Sequence, residues 1–161
     1  MRYLITFTCY GSHLHGDASG SVDRLHNLPG SRTLELRPKR VQAERELMDQ
    51  LPYLLDGNQR AAVLAAIREV CSQRGWSLLA AHVRTNHVHA VAEAHVRPEK
   101  IMNDFKSYAS RSLNRLGRDG PGRKRWARHG STRWLRADDD VRAAVKYVVE
   151  EQGEPLSVFS A

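Results

Sequence analysis

The chain has 161 residues, 41% of them hydrophobic, which suits one compact domain with a real core and leaves little room for two. It carries 25 Lys and Arg against 18 Asp and Glu, a formal charge of +7, and such an excess favours polyanionic partners because each neutralised phosphate releases a condensed counterion. Cys9 and Cys71 are too few for a disulfide framework or a cysteine zinc cluster, and no apolar run nears the roughly 20 residues that span a bilayer.

Tyr3 to Tyr10 is rich in β-branched and aromatic residues and reads as a first strand. The N-terminus is too short and too alternating for a signal peptide, so a cytosolic protein with reduced thiols is expected. Gly11 to Arg40, with four glycines and two prolines, reads as a long, irregular insertion into a single domain covering 1–161. The pattern turns helical from Pro38 to Leu55 and breaks at Asp56-Gly57-Asn58. A stronger helix, Gln59 to Gln73, aligns Val63, Ile67 and Val70 on one face and stops at Gly75. Trp76 to Arg84 and His87 to Ala94 are strands joined by Thr85-Asn86. Pro98 opens a helix reaching Leu116, with Ile101, Phe105, Ala109, Leu113 and Leu116 inward. Gly117 to Gly130 reads as a basic loop and Ser131 to Arg136 as a short strand. Asp138-Asp139-Asp140 then supplies an N-cap and favourable charge for a last helix, Val141 to Gln152. This order implies an α+β, ferredoxin-like sandwich, its antiparallel sheet carrying the His-x-His strand and its helices mainly on one face.

Residues two apart in a strand share a face, so His87 and His89 project together about 7 Å apart and can share one divalent cation, while Val88, Ala90 and Ala92 form the apolar opposite face. Two half-buried, hydrogen-bonded histidines would give the same tripeptide. A second pair, His13 and His15, lies among glycines with no alternation to fix its geometry. Tyr147 and Glu151 stack one turn apart on the last helix, at the edge of its Val141, Ala144, Val145, Val148 stripe. Arg123, Lys124, Arg125, Trp126, Arg128 and Arg133 interleave cations with an indole, a sequence-tolerant way to hold single strands; Lys106 and Arg111 are weaker candidates for phosphate contacts.

The stretch Arg84-Thr85-Asn86-His87-Val88-His89-Ala90-Val91 resembles the HUH signature, two histidines around a hydrophobic residue, of the IS200-like single-tyrosine transposases. Phe105 to Tyr108, Trp126 to Arg133 and Val145 to Gln152 resemble the helix after the signature, the segment before the last strands and the tyrosine helix. Tyr10 to Ser12 with His15 to Asp17 is similar to the start of one branch, the REP-associated tyrosine transposases. The resemblance implies a homodimer acting on single-stranded or hairpin DNA. It implies Mg²⁺ or Mn²⁺ on His87, His89 and Glu151, with Gln152 as the substitute, since relatives tend to carry an amide there. It also implies a 5′-phosphotyrosine link through a tyrosine on the last helix, Tyr147. Tyr108 is the alternative, with Lys106, Arg111 and Asp104 around it, but it stands on a core-facing stripe and has Ser112 at plus four. Two other functions stay open: a hairpin-binding relative that no longer cuts, and an unrelated hydrolase using the histidines, a carboxylate and water.

Overall fold

Residues 1–12 and 49–161 are described by the structure, a computed structural model. Five strands, β1 (Arg2–Cys9), β2 (Ser77–Val83), β3 (His87–Glu93), β4 (Trp126–Leu135) and β5 (Ser157–Ser160), form one antiparallel sheet in the order β4-β1-β3-β2-β5. Among the described residues three helices accompany it: α1 (Gly57–Arg74), α2 (Pro98–Leu116) and α3 (Asp138–Glu150). The strict alternation of β1 buries Tyr3, Ile5, Phe7 and Cys9 on one face. There they meet Val88, Ala90 and Ala92 of β3, Val63, Ile67 and Val70 of α1, and Ile101, Phe105, Ala109 and Leu113 of α2. On the opposite face, Ala80, Val91 and Leu135 pack against Ala144 and Val148 of α3. The architecture is thus an antiparallel α+β sandwich with two of the three described helices on one face, as expected. Among the described residues no helix is long and apolar enough to cross a membrane.

Several boundaries differ from the expectation. Most of the Gly11–Arg40 insertion, the pair His13 and His15, and the start of the Pro38–Leu55 helix lie outside the described residues. Over 49–56 the chain is bent and extended rather than helical. Pro52 disfavours the helical region at Leu51, and the amides of Tyr53 and Leu55 bond instead to the carbonyls of Tyr10 and Thr85 at 2.9 and 2.8 Å. Asp56 is not merely a breaker: it caps α1 in a reciprocal capping box with Gln59. Strand β4 starts at Trp126, inside the expected loop, and β5 had no counterpart among the expected elements. Helix α3 begins at Asp138 with Ala137 as its N-cap, so the three aspartates occupy its first turn instead of preceding it; Asp140 Oδ2 accepts from the Ala137 amide at 3.2 Å.

Candidate active site

Alternation along β3 turns His87, His89 and Val91 toward α3. Antiparallel register sets Thr8 opposite His87, Thr6 opposite His89 on one side, and His82 opposite His89 on the other. The two imidazoles stand edge to face with centroids 4.9 Å apart. Each is oriented through Nδ1: His87 by Asn86 Oδ1 at 2.7 Å and His89 by Thr6 Oγ1 at 2.8 Å. An amide oxygen only accepts, so His87 carries its proton on Nδ1 and keeps the Nε2 lone pair. The Thr6 hydroxyl can donate or accept, and it therefore suits either tautomer of His89. His89 is buried, and burial, followed by the neighbouring charges of His87 and His82, pulls its pKa down to about 4. It is neutral at physiological pH, the form that ligates a cation.

Helix α3 brings the remaining groups. Ala144 and Val148 seat it on the sheet, and Tyr147, one residue before Val148, falls at the margin of that contact, 39% exposed. Its ring meets His89 edge-on, with centroids 5.5 Å apart. Gln152 lies beside His89 as well: its side-chain amide acts to raise the imidazole pKa, against the larger lowering by burial. The amide nitrogen donates to the Tyr147 carbonyl at 3.1 Å. Glu151 is exposed at the helix C-cap, with φ −108° and ψ 17°. Stacking at plus four presumes that the helix continues; here it ends one residue earlier, and Gln152, in the turn beyond, is the residue whose side chain influences His89. Tyr108 is across the sheet, its hydroxyl donating to Gln73 Oε1 at 2.9 Å and its ring under the Arg111 guanidinium at 4.5 Å.

The expected DNA-contacting residues divide. Arg125 is built into the fold: Nε pairs with Asp119 at 3.0 Å, and its other nitrogens donate to the Ser110 carbonyl and Asn114 Oδ1. Trp126 packs edge-on against Phe7 at 5.2 Å and donates to Ser110 Oγ, so its ring is no open stacking platform. Lys106 donates to the Ala127 carbonyl, and burial lowers its pKa. Arg123 reaches Gln50 and the Leu51 carbonyl over the Tyr53 ring, and Lys124 pairs with Asp49 at 2.8 Å. Arg128 and Arg133 are exposed, and the register of Arg133 opposite Leu4 puts it on the histidine face. The sequence reading missed Thr6, Asn86 and His82 as partners at the site. Asn86 adjoins the histidine pair, whereas Thr6 and His82 become neighbours only through strand pairing.

Among the described residues no three His, Cys, Asp or Glu side chains come together as a metal site. The two imidazoles stand together and the Gln152 amide lies beside one of them, nitrogen and oxygen donors of the kind a divalent cation accepts. A phenol stands beside them. The arrangement can hold a phosphodiester and present an oxygen nucleophile to it.

Comparison with known proteins bears on this site. Among curated proteins no match is found. A solved structure of a REP-associated tyrosine transposase bound to a REP hairpin is similar in fold, with a TM-score of 0.53 at 12% identity, covering 93% of this chain; the chain spans 65% of that protein's length. A Deinococcus radiodurans protein described as a candidate transposase aligns over 94% of this chain and 90% of its own, at 14% identity and a TM-score of 0.48. The sequence model described as Transposase IS200 like matches residues 52–137, more than half of the chain and the whole span from the capped helix through the histidine strand to β4. The chain belongs to the IS200-like transposase family.

Proposed function

We propose that this transposase is a metal-dependent endonuclease and strand transferase that cuts single-stranded DNA at a hairpin-bearing element through a 5′-phosphotyrosine link. One observation carries the reading: the Tyr147 ring lies edge-on against His89, and the Gln152 side chain comes close enough to the same imidazole to influence it. His87, His89 and Gln152 would hold Mg²⁺ or Mn²⁺, with exposed Glu151 as the weaker third donor. An ion there would polarise the scissile phosphate. Tyr147 Oη attacks phosphorus, the bond to the 3′-oxygen breaks, and that oxygen leaves as a hydroxyl carrying the proton given up by the phenol. The 5′-phosphate stays on the tyrosine, so the bond energy is kept and rejoining needs no ATP. Thr6 and Asn86 fix the imidazoles, and the exposed Arg128 and Arg133 track the backbone. Support for a hairpin substrate comes from the structurally similar protein, which is bound to one. The family likeness carries a homodimer with it, and because His87, His89, Tyr147 and Gln152 belong to one chain, each protomer would hold a full set. In a bacterial cell this substrate lies in the cytoplasm, where the free, buried Cys9 and Cys71 stay reduced.

The test is to incubate the protein with end-labelled hairpin DNA and Mn²⁺ and look for an adduct that survives denaturation. The adduct should form with the wild type and with Tyr108→Phe and vanish with Tyr147→Phe. Binding without cleavage would favour a hairpin-binding relative. Cleavage without an adduct would favour a hydrolase that activates water.

A further inference from the structure

His82 lies in β2, cross-strand from His89, and is completely buried. Both of its ring nitrogens are engaged. Nδ1 lies 3.1 Å from the Val148 carbonyl, which can only accept, so the proton is on Nδ1. Nε2 then accepts, from the Leu156 amide at 3.1 Å and from Arg84 Nη1 at 3.3 Å. The same guanidinium nitrogen donates to the Glu154 carbonyl at 2.9 Å. One ring and one guanidinium thus tie β2 to the last turn of α3 and to the segment that follows it. Tyr147 immediately precedes the first tie point, and Gln152 sits between the first and the second. The reversal that brings Glu154 to Arg84 passes through Gly153, whose φ of 78° suits glycine.

Apolar packing holds the same helix. Ala144 and Val148 are its buried side chains, and Val141, Val145 and Val149 pack beside them partly buried. The carbonyl of Val148 belongs to the final turn, where helices leave acceptors unpaired, and His82 caps it. The end of this helix is therefore held by polar ties in addition to packing.

We infer that His82 and Arg84 form a latch that positions Tyr147 and Gln152 on the histidine pair of their own chain. The latch rests on the transposase reading for its purpose but not for its existence. His82 is a positioning residue and not a ligand, because its Nε2 is occupied by donors and no part of the ring reaches solvent.

Two variants test it, His82→Leu, which removes both ties, and Arg84→Ala, which removes the half-buried arm and spares the core. His82→Asn keeps a donor near the Nδ1 position and should rescue part of the loss. In amide hydrogen exchange, residues 147–156 should open about tenfold faster in both test variants while α1 and α2 keep their protection. Single-turnover adduct formation at saturating hairpin should slow by about 10- to 100-fold, the cost of a nucleophile displaced by about 1 Å, with hairpin Kd nearly unchanged. If His82→Leu fails to fold, Arg84→Ala decides. Exchange at 147–156 that rises no more than elsewhere, or adduct rates equal to wild type in a folded variant, would overturn the latch. If the wild type itself gives no adduct, the functional reading fails, and the exchange data still judge the latch.

Discussion

Thr6 acts through the imidazole it holds. Replacing it with Val keeps the β-branched shape of a paired strand position and deletes only the hydroxyl at His89 Nδ1. A group that orients a ligating imidazole commonly contributes about 10- to 100-fold to metal affinity, so Thr6→Val should bind Mn²⁺ about tenfold more weakly in an EPR titration. Gln152→Ala should weaken it further and Glu151→Ala hardly at all; the reverse order would reinstate the carboxylate. His89 also sets a pH dependence. Its pKa is about 4 when folded, against about 6.5 for a free histidine. Between those values the unfolded chain binds a proton that the folded chain does not, so stability rises with pH across this window. The contribution is complete above about pH 6.5 and is lost as pH falls toward 4, by up to about 3 kcal/mol. His82, also held low chiefly by burial, acts in the same direction. Urea titrations of metal-free protein at pH 7 and 4.5 should show the drop, and His89→Asn should flatten it. The histidine pair was legible because alternation in a strand is geometry that two residues carry by themselves. The choice between Glu151 and Gln152 was not, because it depends on which residue ends α3.

Strand β4 shows why some elements escape the pattern. It runs Trp126-Ala127-Arg128-His129-Gly130-Ser131-Thr132-Arg133-Trp134-Leu135, polar, interrupted by glycine and mostly exposed, as an edge strand can be. A register shift opposite Phe7 and Cys9 breaks what alternation it has. β5 is four residues long and pairs only with β2, too short to declare itself. The long helices and β1 were legible, since each buries one periodic face against a full layer. Gly130 is the point on β4 that tolerates least. A Cβ there would sit 2.5 Å from Met102 Sδ and 2.5 Å from the Thr6 carbonyl oxygen, and 3.2 Å from Phe7 Cβ. The sulfur ends a flexible side chain and can move; the backbone oxygen opposite cannot without pulling β1, and Thr6 with it. Gly130→Ala should therefore destabilise the protein by about 1–3 kcal/mol, the usual cost of overpacking. Adding Met102→Ala should restore little of it in a urea denaturation, because the carbonyl contact persists.

Taken over the whole molecule, the basic excess of +7 is not one surface. Part of it is structural: Arg125 and Asp119 have side chains only 10% and 12% exposed, and Tyr53, whose pKa is pushed up to about 12 by burial and then by Asp119, donates to the same carboxylate at 2.7 Å. Removing one partner of such a pair strands a charge in a poorly solvated place, so Arg125→Gln should cost about 3 kcal/mol or more of stability. Arg128 and Arg133 are exposed, and truncating them leaves nothing buried behind. If they neutralise phosphates, each contributes about 0.7 to the slope of log K against log salt on a single strand. Measured by fluorescence anisotropy on a labelled hairpin with a single-stranded flank, Arg128→Gln combined with Arg133→Gln should lower that slope by roughly 1.4 while leaving the urea midpoint in place. Arg125→Gln should do the opposite, moving the midpoint and sparing the slope of the protein that remains folded. A slope indifferent to Arg128 and Arg133 would send the DNA path elsewhere, because a phosphate contact that releases no counterion is no contact at all.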